Sequence, residues 1–310
     1  MTRGKPTVGD IWRKAYPFTY WKRRINKLEL GNSHDALDAL FIHSHLADTF
    51  ATVLSARMRR PKNPWYAVKD ELYTPDIYDT LEALKRTENG ETRYFIEVLL
   101  EQPEGYVTLD LPEGWKENVD YETGFVNQFL GCPARFDEDA KHIETLYDPK
   151  GYMAVCNAVL NYWNEIGTLM NDFKHGFRIL PFEWDHATWL FESDLINVET
   201  DIDALREGYT EMDADWKFDF WRMETGNDDE PGTPVTLEVH TVDVERCIAF
   251  SSLTLKLLYN IFDKNRTQKI GEDIELLFGS NEVRQGDSFT ILHQQFEFES
   301  RFEESKPEGN

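Results

Sequence analysis

Apolar residues recur at helical spacing in three long stretches of the chain. From Ser33, a residue suited to capping a helix N-terminus, Leu37, Leu40, Phe41, Ala47, Leu54 and Met58 repeat toward about Arg59, and Pro61 stops the run. A second stretch begins after Asp148-Pro149 and continues to about His175, where Gly176 offers the left-handed conformation favoured just past a helix end. The third, about Val244 to Phe262, carries Ile248, Leu255, Leu258 and Phe262 on one side. Between the second and third stretches the period changes. "WKFDFWRME" (216–224) and "VTLEVHTV" (235–242) alternate apolar with polar residues around the turn-rich "TGNDDEPGTP", which predicts a β-hairpin with a long loop.

Weaker signals fill the gaps. A shorter helix is expected after Thr74, with Pro75 at its first position and Asn89-Gly90 closing it. "RYFIEVLLEQ" (93–102) fits strand or helix, and "GYVTLDLP" (105–112) reads as a short strand. "SFTILHQQFEFE" (288–299) predicts a late strand, and the acidic tail at about 303–310 is expected to be disordered. The whole predicts an α+β fold in one elaborate domain, 1–310. Its helical core lies at about 33–60, 149–176 and 244–263, with a β-rich insertion at about 180–242.

Composition narrows the classes. No stretch approaches the roughly 18 uninterrupted apolar residues of a membrane helix, and the opening "MTRGKPTVGDIWRK" lacks the apolar run of a secretory leader. Cys132, Cys156 and Cys247 are far apart and odd in number, without zinc-type spacing. The expectation is a cytoplasmic chain with free thiols and no membrane contact. The net charge of −24 opposes non-specific nucleic-acid binding by the surface as a whole. It is unevenly placed: residues 1–62 carry 12 Lys or Arg against 5 Asp or Glu, and the remaining 248 residues carry 21 against 52. "YWKRRINK" and "ARMRRPK" supply most of the basic cluster, which could meet a nucleic acid, an anionic membrane face or the acidic remainder of the same chain.

The second long helix holds the most pointed chemistry. At 100° per residue, Asn157, Asn161, Asn164, Thr168, Asn171 and His175 fall in a band about 80° wide, opposite Val155, Cys156, Val159, Trp163, Ile166, Met170 and Phe173. Solvent-facing helix surfaces favour Lys, Glu, Gln and Arg, so each Asn here costs about 0.5 kcal/mol of helix propensity against Ala. The amides are therefore used, either in an internal hydrogen-bond ladder or toward a ligand. At the helix end, an Asn amide can donate to a phosphate oxygen, and a histidine one turn away suits general acid–base work near neutral pH. Lys174 and Arg178 add positive charge beside them. The competing reading is a histidine stabilising the helix C-terminus through the dipole.

"MNDFKHG" (170–176) resembles the end-of-helix motif of HEPN domains, small helical bundles often found in prokaryotic conflict systems. That motif is Arg, a polar residue, three variable positions, then His. Asn171 and His175 match, and Met170 stands where the arginine belongs. The resemblance covers about residues 151–178. It implies His175 as general acid–base, Asn171 orienting a phosphate, and Lys174, Arg178, Asn164 and Asn161 as substrate contacts. In the family the Arg and His act together, commonly across a dimer interface, and members lacking the Arg are often non-catalytic. Arg178 is the nearest candidate to replace it.

Other constellations are less specific. His34, Asp38, His45 and Asp48 fall roughly along one side of the first helix, but they lack the His-x3-His spacing that tightens a metal site. His43 and His45 lie about 200° apart on a helix and cannot share one ion. Pro64-Trp65-Tyr66, Trp184, Trp189, Trp216 and Trp221 read as packing aromatics rather than base-stacking platforms. Cys156 falls on the apolar side and reads as core. No P-loop, dinucleotide-binding glycine pattern or serine elbow occurs.

The expectation is an intracellular HEPN-like homo-oligomer without metal or cofactor. It would bind RNA or a protein partner, in a conflict, defence or toxin–antitoxin setting, and its enzymatic version is a metal-independent endoribonuclease. The alternative is a non-catalytic structural or interaction protein, viral or plasmid-borne, whose asparagines form an internal ladder.

Overall fold

The computed structural model describes residues 14–29, 33–60, 64, 74–88, 90–101, 115, 118–137, 139–167, 170–171, 179–181, 217–225, 235–262 and 267–269. Among the described residues six α-helices are placed: α1 (Phe18–Ile25), α2 (Ser33–Arg59), α3 (Thr74–Glu82), α4 (Tyr121–Gln128), α5 (Pro149–Glu165) and α6 (Val244–Phe262). Eight strands accompany them: β1 (Lys85–Glu88), β2 (Glu91–Tyr94), β3 (Ala134–Asp137), β4 (His142–Thr145), β5 (Ile179–Pro181), β6 (Lys217–Thr225), β7 (Val235–Asp243) and β8 (Thr267–Lys269). The fold is α+β. None of the described helices is long and apolar enough to cross a membrane. The segments 105–112, 288–299 and 303–310 lie outside the described residues.

The chain divides into two compact units, one of Met1–Lys22, Leu46–Trp163 and Ser252–Asn310, the other of Arg23–His45 and Asn164–Ser251. In the first, α2, α5 and α6 each contribute an almost fully enclosed surface. Phe50, Leu54, Tyr152, Trp163, Leu255 and Leu258 are all buried, each such side chain contributing roughly 1.5–3 kcal/mol of transfer free energy. Two of the polar side chains carried inward pair with a side chain of another helix. Trp163 Nε1 donates to Asp48 Oδ1 at 2.8 Å, and Asn260 Nδ2 donates to the Tyr152 hydroxyl at 3.3 Å.

Asn89-Gly90 does not close a helix. α3 stops at Glu82 and the chain enters a hairpin, β1 pairing antiparallel with β2 so that Glu88 faces Glu91 and only positions 89 and 90 connect them. Gly90 has φ +83°, which a two-residue hairpin turn demands and Asn-Gly supplies. The 93–102 stretch divides: its first two residues finish β2, and Ile96–Leu100 forms a 3₁₀ helix. β3 pairs antiparallel with β4 and parallel with β8.

α4 begins with Asp120, whose carboxylate accepts from Thr123 N at 2.8 Å, and it ends against α2. Arg57, only 9% exposed, donates to the carbonyls of Gln128 (2.9 Å) and Phe129, a cation placed at the negative end of a helix. The chain then turns through Gly131, φ +82°, whose Cα faces the α6 backbone closely enough that a Cβ would lie 2.8 Å from Ile261 Cα and N.

In the second unit β5, β6 and β7 form an antiparallel sheet, with β6 and β7 in register from Lys217–Asp243 to Thr225–Val235. Here His43 of α2 is fully buried against the Phe250 ring of α6, centroids 6.4 Å apart. Burial, reinforced by the nearby Arg246 charge, lowers its pKa from the ordinary 6.5 to about 3. His45, two positions on, is exposed, as the 200° separation requires.

Two outcomes are expected. Gly131→Ala combines a left-handed φ with a backbone overlap and should lower unfolding stability by about 3 kcal/mol or more in urea melts. Gly90→Ala shares the φ but has nothing within 4 Å, so it should cost only about 1 kcal/mol. Between pH 6.5 and 3 the unfolded chain binds a proton at His43 that the folded chain refuses. Its contribution is therefore complete above pH 6.5 and lost on acidification, with a slope of up to ~1.4 kcal/mol per pH unit. His43→Leu should flatten the stability profile between pH 6.5 and 4; identical profiles would remove His43 as the cause.

Candidate functional site

The asparagine band starts inside α5, where no residue from Tyr152 to Trp163 is exposed. Asn161 Oδ1 accepts from Tyr94 N at 2.7 Å, and its Nδ2 donates to Tyr94 O at 3.2 Å. One turn earlier, Asn157 Oδ1 accepts from Ile96 N at 2.8 Å while its Nδ2 donates to Glu97 Oε2 at 2.8 Å. The match is geometric. Four helical residues advance about 6.0 Å and two extended residues about 6.6 Å, so side chains at i and i+4 on a helix can meet backbone groups at j and j−2 on a strand. Each Asn forfeits about 0.5 kcal/mol of propensity but satisfies two polar groups. Net gains near 1 kcal/mol per bond, and larger penalties for leaving such groups buried and unmet, decide the balance in favour of asparagine.

The far end of the band is different. Asn164 is exposed, and α5 ends at Glu165, ten residues before the expected end at His175. Ile166 forms a turn, helical residues resume at Gly167, and Met170 N bonds to Ile166 O at 2.9 Å. The interruption falls where Gly167 withdraws helix propensity. Glu165 is held by a two-point ion pair with Arg246, both contacts at 2.9 Å. Arg246 in turn lies 5.7 Å from the Phe250 ring centroid, and its amide is capped by Asp243 Oδ1 at 2.8 Å.

Met170, in the position of the family's arginine, is 1% exposed, and Asn171 beside it is half-buried. Lys174, His175 and Arg178 lie outside the described residues. The structure thus joins Asn157 and Asn161 to the 94–97 segment and leaves Asn164 on the surface.

The basic cluster turns partly inward. Arg24 pairs with Asp38, Arg59 meets Asp76 at 3.3 Å, and Arg57 is committed to the α4 carbonyls. Arg23 and Lys27 are exposed. Among the described residues no group of three or more His, Cys, Asp or Glu side chains is placed to hold a metal ion. The three cysteines are free and buried, and burial raises the Cys156 thiol well above its ordinary pKa, which suits a packing residue rather than a nucleophile. Sequence reasoning missed the partner segment 94–97, the Arg57 cap and the Glu165–Arg246 pair. Only the first left a signal, the Asn-Gly turn that announces the hairpin leading into it.

Comparison with protein-family models, with curated proteins and with solved structures found no match.

Asn161→Ala strips both Tyr94 backbone groups of their partner and should cost about 2–4 kcal/mol in chemical denaturation. Asn164→Ala, three residues along the same band but exposed, should stay within about 0.5 kcal/mol of the parent. Equal effects would show that the amides act through propensity alone.

Proposed function

We propose that this chain is a non-catalytic interaction protein built on a HEPN-like helical core, and that its partner is a protein. Three long helices supporting one another, the central α5 leading toward the Asn171–His175 motif, favour the HEPN-like reading of the core. The observation that carries the functional part is Met170. Metal-free RNA cleavage needs donors for the charge that develops on the phosphorane, a role a cation fills most strongly, and the residue at the motif's arginine position is an apolar side chain sealed at 1% exposure. Two further features point the same way. The amides of Asn157 and Asn161 are engaged with the chain's own backbone, and the basic cluster is partly neutralised by its own carboxylates and carbonyls. With a net charge of −24, a protein partner fits better than a polyphosphate.

The test is cleavage of a labelled mixed-sequence RNA in EDTA by the parent chain and by His175→Ala, matched for fold and purity. The expected result is no His175-dependent cleavage. Cleavage by the parent and its loss in the variant would overturn the proposal. His175 would then be the general acid–base, Asn171 the phosphate-orienting group, and Lys174 or Arg178 the source of the missing positive charge.

A further inference from the structure

We draw no further inference here: the strongest candidate, the exposed cations Arg23 and Lys27 at and just past the end of α1, carries nothing because two exposed cations do not specify an anionic partner and nothing in the structure shows what covers them.

Discussion

A helix with no exposed residue over three turns must bring its own solutions for the polar atoms it carries, and α5 is such a helix from Tyr152 to Trp163. That stretch is buried or half-buried throughout, yet it includes two asparagines and an indole N–H. Each is satisfied by a residue far away in the chain: Asn157 and Asn161 by the 94–97 segment, Trp163 by Asp48. These bonds contribute little individually after the exchange with water is counted. Their weight lies in what their absence would cost, since an unmet buried amide or carbonyl is penalised at 1–3 kcal/mol. The first unit can therefore form only in an arrangement that brings the end of β2 alongside α5. Register is specified by polar groups, and the apolar surroundings supply most of the free energy.

The end of α4 follows the same logic with different chemistry. Its last carbonyls are buried and could not be left to solvent, so Arg57 reaches them from α2. The connection that follows passes so close to α6 that only a residue without a side chain fits at position 131. Asn127 then closes the loop, donating to the Cys132 carbonyl at 2.8 Å. A guanidinium, a glycine and an amide thus place α4 where packing alone would permit several arrangements.

The readability of these features in the sequence tracks their locality. Helix α2 and helix α6 were legible almost to the residue because their signals are local: a cap, periodicity and Pro61 just past the end for α2, and periodicity for α6. The β6–β7 pairing was legible because its two alternating segments flank an obvious turn. Asn89-Gly90 was misassigned because the same dipeptide ends helices and turns hairpins, and the short, charged strands beside it offer no alternation to decide between them. The interruption of α5 at Ile166 was not legible because the polar band repeats across it, from Asn164 to Asn171, without regard to the backbone. The unusual use of asparagine was visible, and so was the choice between an internal ladder and a ligand site. What could not be read was the answer for the buried half of the band, since its partner lies some 60 positions away and contains no residue that advertises the pairing. Of the asparagine band, Asn157 and Asn161 hold the 94–97 segment, Met170 beside its far end is buried, and His175 lies outside the described residues.

Asn161 also bears on the open edge of β2. Among the described residues β1 and β2 form a two-stranded sheet, and an open strand edge is a template on which another molecule can add a strand. Where β2 ends, at Tyr94, that template is already filled: the outward N–H and C=O are both held by Asn161, which presents the donor and acceptor that a neighbouring peptide would have offered. One side chain stands in for a strand. A helix can thus fill the last outward position of a strand edge without any backbone pairing.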